Sequence, residues 1–146
     1  MMVVKVKKLT EGAHLPQRGS EFAAGADLRA LLDAPLTIQP GGTAMLPTGL
    51  AFEIPEGYVG LIFARSSLGT KRGLAPANKV GVIDSDYRGE VKVCLHNHSS
   101  QPQVIEPEER VAQMVIVPFL PAQYEEAEEL SDTVRGEGGF GSTGRM

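Results

Sequence analysis

The chain predicts an all-β subunit, a jelly-roll-like β-sandwich or barrel, and three observations carry that prediction. Short apolar or alternating runs recur every eight to twelve residues or so, the spacing of strands in a sandwich or barrel. Seventeen glycines and ten prolines among 146 residues provide turn chemistry between those runs. Before the C-terminal tail only Ser66–Arg72 reads as helical, and only for a turn or two.

Taken in order, Val4 and Val6 alternate with Lys5 and Lys7 as a half-exposed first strand. A polar link, Thr10 to Glu21, leads into Ala23-Ala24-Gly25-Ala26-Asp27-Leu28-Arg29-Ala30. The small residues there predict close packing around one carboxylate rather than a helix. Strands are expected near Leu36–Ile38 and Ala44–Leu46, separated by Pro40-Gly41-Gly42. Leu50, Phe52 and Ile54 alternate with Ala51 and Glu53, and Pro55-Glu56-Gly57 makes the next turn. Tyr58 to Phe63 is more continuously apolar. Val80–Ile83 and Val91–Leu95 flank a charged tip, Asp84-Ser85-Asp86-Tyr87-Arg88 with Gly89, and predict a β-hairpin. A last strand, Arg110 to Val117, is ended by Pro118 and Pro121. Beyond it come an acidic run, Glu125 to Glu129, and a glycine-rich terminus, Arg135 to Gly144. The expected division is a catalytic body over residues 1–121 and a flexible C-terminal arm over residues 122–146, too poor in apolar side chains to build a core.

Composition narrows the functional classes. At 146 residues the chain forms one domain with a sizeable core. A net charge of −4 lacks the general electrostatic footprint of a nucleic-acid binder, so an anionic ligand needs a local basic pocket. The single cysteine, Cys94, forms no intrachain disulfide and denies a Cys-rich zinc site. With no signal-like apolar segment and no run of membrane length, a soluble, reducing, cytoplasmic setting is expected.

Strands fix the groups at their connecting loops, which makes the tip of GVIDSDYRGE, residues 81–90, a candidate site. Asp, Ser and Gly also favour a plain solvated turn, and composition alone leaves both readings open. A calcium loop is excluded, because Leu95 stands where the twelfth-position Glu must be and no flanking helices are predicted. In the active-site reading Asp84, at the strand end, is a general base. ARSSLG, residues 64–69, offers the Arg65 fork and the hydroxyls and amides of Ser66 and Ser67, which suit phosphate oxygens; a serine-capped helix start fits the same residues. The tail resembles a P-loop only on paper: it has no lysine, no preceding strand and no room for the helix. An arm closing over a ligand would instead use Arg135 on phosphate, Phe140 on a flat ring and glycine amides on anionic oxygens. His96 and His98 share one strand face and form a candidate metal pair without an evident third ligand.

Together and in this order, AGADL (24–28), ARSSLG (64–69), GVIDSDYRGE (81–90), RVAQM (110–114) and RGEGGFGSTG (135–144) resemble the five motifs of the trimeric deoxyuridine triphosphatase (dUTPase) family. The family commonly has glycine where Glu108 stands, which bears on that turn, and Ser67 and Gly69 replace commoner small residues. The resemblance implies a homotrimer of jelly-roll subunits, with active sites at subunit boundaries and each arm closing a neighbour's site. It implies hydrolysis of dUTP to dUMP and pyrophosphate, supplying dUMP and limiting uracil incorporation into DNA. By resemblance Asp84 activates the water that attacks the α-phosphorus. Asn78 and the main chain of Gly81, Val82, Ile83 and Asp84 read uracil, and Tyr87 lies against the deoxyribose and excludes a 2′-hydroxyl. Arg65, Ser66, Ser67 and Gln113 hold the triphosphate with Arg135 and Ser142, while Phe140 covers the base; Lys92 and Gly141 join the substrate-binding set. Mg2+ is held through the phosphates and water, with Asp27 an outer partner of it or a partner across subunits. Four arginines, Arg65, Arg88, Arg110 and Arg135, fall in four of the five motifs, where charge for the triphosphate and structural pairing across subunits are both open to them. No nucleic-acid or membrane partner is expected. Two alternatives stand beside this reading: a dCTP deaminase of the same fold, and a binding or regulatory module that keeps the pocket without the chemistry.

Overall fold

Twelve strands and one helical turn account for the regular structure of the computed structural model, which describes residues 1–146. In chain order they are β1 (Lys5–Lys8), β2 (Gln17–Arg18), β3 (Ala26–Arg29), β4 (Leu36–Ile38), β5 (Thr43–Pro47), β6 (Leu50–Glu53), β7 (Tyr58–Phe63), the turn Ser67–Arg72, β8 (Leu74–Pro76), β9 (Gly81–Ile83), β10 (Lys92–Asn97), β11 (Gln103–Ile105) and β12 (Arg110–Pro118). The all-β prediction holds, and every strand expected from the pattern is found within a residue or two.

The largest sheet has five strands in the order β2-β3-β12-β7-β9, and a second has the order β5-β10-β8. Two small ladders, β1 with β6 and β4 with β11, complete the layers. Between them lies one cluster of 18 buried apolar residues, including Leu28, Ile62, Val111 and Met114 from the first sheet and Leu46, Leu74, Val93 and Leu95 from the second. Burying such side chains contributes roughly 1.5–3 kcal/mol each and drives the sheets together. β6 departs from strict alternation: Leu50, Ala51 and Phe52 are all buried, because this strand lies between layers and small Ala51 fits its second face. Two buried polar side chains are satisfied. The amide of Asn97 donates to the carbonyls of Ile38 and Gln101 at 2.9 and 2.8 Å, and Thr48 Oγ1 donates to the Val91 carbonyl at 2.6 Å.

The predicted hairpin is not one. β9 pairs antiparallel with β7, whereas β10 pairs with β5 and β8, so the strands on either side of Asp84–Val91 belong to different sheets. Alternation records which face of a strand is buried and is silent on which neighbour it pairs with. An eight-residue connection is long enough to cross between layers.

Glu108, the departure from the family pattern, has φ +64°, the left-handed conformation that glycine adopts freely and other residues reluctantly. The turn survives because Glu108 N–H donates to the Ala30 carbonyl at 2.9 Å and Arg29 Nη1 donates to the Glu108 carbonyl at 2.9 Å. After β12 the Phe119 N–H donates to the Gly57 carbonyl at 3.0 Å. From there to Met146 no strand forms and nearly every residue is exposed. No helix is long and apolar enough to cross a membrane.

Candidate active site

Asp84 is the first residue beyond β9, and the ladder β7–β9 holds the main chain up to it: Ile62 pairs with Gly81, Leu61 with Val82 and Gly60 with Ile83. A concavity of about 460 Å³ opens there, lined by Met45, Val82, Ile83, Asp84, Tyr87, Glu90, Val91 and Lys92. Five of the predicted site residues therefore share one wall. Asp84 and Tyr87 are exposed in it, and Lys92 enters from the start of β10. Gly81 is buried under them, and Asn78 lies exposed in the turn before β9, where Lys79 takes a left-handed φ of +69°.

The loop between the sheets has no ladder of its own and is held by specific bonds. Tyr87 N–H donates to the Asp84 carbonyl at 3.2 Å, and Tyr87 Oη donates to the Glu90 carbonyl at 2.8 Å. The tyrosine ring thus folds back over Gly89, where a Cβ would stand only 2.4 Å from Oη and 2.6 Å from Cζ. Only glycine leaves room for that ring. At the far end Val91 N–H donates to the Leu50 carbonyl at 2.8 Å, opposite the Thr48 contact on the same residue.

A second cluster forms across the centre of the large sheet. Gln113 on β12 stands opposite Asp27 on β3 and Phe63 on β7. Asp27 accepts from Arg65 Nε at 2.9 Å through one oxygen and from Arg110 Nη1 at 3.2 Å through the other. Its carboxylate therefore orients two arginines of different motifs within one chain, and the terminal nitrogens of Arg65 make no other bond. Gln113 Nε2 donates to the Ala64 carbonyl at 2.9 Å. A Cβ on Gly25 would stand 2.1 Å from Gln113 Oε1, which explains the glycine among the small residues of the first motif. Ser66 and Ser67 are exposed at the start of the helical turn. Ser66 makes no capping bond through its side chain, so the serine-cap reading is corrected, and the turn itself is a single π-type one.

Arg65 and Asp84 are not neighbours within one chain. They lie toward opposite ends of β7, since Asp84 follows the Gly60–Ile83 pair and so falls level with Val59, while Arg65 comes two residues after Phe63. At about 3.3 Å per residue the separation is roughly 15–20 Å. Arg135, Phe140, Gly141 and Ser142 lie apart from both clusters, with Phe140 fully exposed at φ +51°. Arg135 Nε donates to the Gly138 carbonyl at 2.7 Å, within the arm itself.

Arg88, one of the four motif arginines, is engaged within the structure. It lines no part of the concavity holding Tyr87; its Nη1 donates to the Ser85 carbonyl at 2.6 Å and to the Tyr87 carbonyl at 3.4 Å, and Nη2 lies 3.7 Å from Glu53 Oε1. The hydrogen bond from Lys5, followed by the Lys5 charge, holds the Glu53 carboxyl below its ordinary range, and Arg88 adds to the pull. Arg110 is likewise engaged with Asp27. His96 and His98 share a face as expected, their rings 6.4 Å apart, but no group of three His, Cys, Asp or Glu side chains comes together.

Met45, Glu90 and Val91 were not foreseen as parts of the concavity wall. Met45 comes from a strand distant in sequence, and only the β5–β10 register, Cys94 opposite Met45, brings it there. Glu90 sits inside the quoted third motif, and its position beside Gly89 was the available signal. One of its carboxylate oxygens, Oε2, is shut away from solvent without a hydrogen-bond partner.

Comparison with known proteins is consistent across its forms. The dUTPase family profile matches residues 11–144. Deoxyuridine 5'-triphosphate nucleotidohydrolase of Desulfitobacterium hafniense is 50% identical over 149 residues, covering 99% of each chain. The enzymes of that name from Bdellovibrio bacteriovorus and Alcanivorax borkumensis are 51% and 48% identical, covering 99% and 95% of this chain and 97% and 93% of theirs. Among solved structures, the Staphylococcus bacteriophage 80alpha dUTPase with dUpNHpp superposes with a TM-score of 0.84 at 29% identity, covering 99% of this chain and all of that one. A mutant dUTPase from S. aureus phage phi11, described as coordinating a structural Mg(II) ion, gives 0.80 at 25% identity, covering 90% of this chain and 100% of that one. With a family profile over nearly its whole length and half its residues shared with such relatives, the chain belongs to the dUTPase family.

Proposed function

We propose that the protein hydrolyses dUTP to dUMP and pyrophosphate, with Asp84 as the general base for the attacking water. The observation that carries this reading is the shared wall of Asp84, Tyr87 and Lys92, with the β9 main chain from Gly81 leading into it. A carboxylate at a fixed strand end can take a proton from water directed at the α-phosphorus. The Tyr87 ring is folded over Gly89 and tied through Oη, and its flat surface suits a deoxyribose packed closely enough to leave out a 2′-hydroxyl. The free amide and carbonyl edges of β9 suit the edge of a pyrimidine. A magnesium ion held through the phosphates and water, with Asp27 as an outer partner, would supply charge neutralisation there. Arg65, Ser66, Ser67 and Gln113 take the triphosphate, where developing charge needs preorganised donors.

The distance along β7 supports a site shared between copies. Roughly 15–20 Å of main chain separates Asp84 from Arg65, longer than a triphosphate, which favours their serving different substrates. A closed homotrimer in which one copy supplies Asp84 and Tyr87 and the next supplies Arg65 and Gln113 removes the difficulty. The arm, bonded to the body only at its base, then closes a site over substrate with Arg135, Phe140 and Ser142. Pyrophosphate release measured with dUTP, dCTP, dTTP and UTP tests the reading. Release from dUTP alone is expected; deamination of dCTP, or binding without turnover, overturns it.

A further inference from the structure

We propose that Arg88 is a positioning residue for the catalytic loop, acting on Asp84 and Tyr87 through the loop's own carbonyls and braced from behind by Glu53. The proposal rests on the reading of Asp84 as the base. The loop from Asp84 to Val91 leaves one sheet and enters another, so no strand ladder holds its middle. Arg88 adds to the two Tyr87 bonds in supplying that hold. Its Nη1 meets the Ser85 and Tyr87 carbonyls, the residues immediately after Asp84 and at the tyrosine itself. Its other terminal nitrogen reaches toward Glu53 at the end of β6, and Glu53 is bonded to Lys5 of β1 at 3.0 Å. A chain of contacts thus runs from the N-terminal strand to the loop. The side chain lies on the face of the loop away from Tyr87, beside Asp84, Ser85 and Phe119, rather than in the concavity.

A planar fork suits this task, because one terminal nitrogen meets the loop carbonyls while the other stays in ion-pair range of a carboxylate, whereas an ammonium on a flexible stem is a point charge. Both Arg88 and Glu53 are surface residues, so replacing them is not expected to unfold the chain.

The test is steady-state dUTP turnover by the full-length protein carrying Arg88→Ala, Arg88→Lys, Glu53→Gln, and Arg88→Ala with Glu53→Gln, alongside thermal melting. Loosening a catalytic group by a fraction of an ångström should lower kcat about tenfold in Arg88→Ala while KM stays within about threefold and Tm changes little. Arg88→Lys should recover part of the loss. Glu53→Gln should lower kcat by a smaller factor and add nothing further in the double variant, because its effect passes through Arg88. A raised KM at unchanged kcat would make Arg88 a substrate contact and overturn the proposal. So would a lowered Tm at unchanged kcat, or additive losses in the double variant. A wild-type protein inert toward dUTP would instead remove the functional reading beneath it.

Discussion

Asp84, Tyr87, Gly89 and Glu108 each meet a separate physical demand. Asp84→Asn keeps size and hydrogen bonding but cannot accept a proton, so turnover should fall by at least about 10²-fold with binding retained. Near-normal turnover in that variant would dismiss it as the base. For Tyr87→Ala the informative quantity is the kcat/KM ratio of dUTP to UTP, which should drop once space for a 2′-hydroxyl opens; an unchanged ratio removes the ring from sugar selection. Glu108 permits a cleaner test of strain. Glu108→Gly and Glu108→Ala both delete the carboxylate that meets His14 Nε2 at 2.8 Å, but only glycine relieves the φ of +64°. The glycine variant should be the more stable by about 1 kcal/mol in urea unfolding, and equal stabilities would show that the turn stores no strain. The Glu108 carboxyl lies below its ordinary range, first through the hydrogen bond from His14 and then through its charge. A depressed carboxyl lends stability above the ordinary carboxylate range and loses it as pH falls, so the small gain from this exposed pair should vanish in acid.

At the scale of elements, the arm is the separable part. Past Phe119 its hydrogen bonds run within itself, and the bulky residues Leu120, Tyr124, Leu130, Val134 and Phe140 are all exposed. Deleting residues 131–146 should therefore leave Tm nearly unchanged while turnover collapses, because closure over substrate is realised chiefly in the reacting state. Full activity in the truncated protein would discard the lid. The Ser67–Arg72 turn is the opposite case. Arg72 reaches Glu109 and the Val104 carbonyl, and Gln103 at 3.2 Å, so it ties the segment after Arg65 to β11 and to the turn before β12.

For the whole molecule the decisive quantity is the length of β7. If Asp84 and Arg65 of one chain serve different sites, two inactive variants should complement each other. Asp84→Asn chains mixed with Arg65→Ala chains, dissociated and reassembled, should recover activity in roughly a quarter of the sites of an equal random mixture of closed trimers. A mixture that stays inactive despite proven exchange would return both residues to one chain's site.

Local chemistry was legible from residues alone. The five motifs as a set were legible only through their resemblance to a known family, while strand positions, and Asp84 at a strand end, followed from alternation and turn residues. Those are properties of neighbours in sequence, which short-range sterics and burial patterning control. Pairing was not legible: nothing in Val91–Leu95 tells that it binds β5 and β8 instead of β9, and nothing in Arg88 tells that its guanidinium meets the Ser85 and Tyr87 carbonyls. Tertiary structure decided these, because a strand's edges are the same hydrogen-bonding groups whatever its sequence. Which edges meet depends on how all the apolar faces are buried at once.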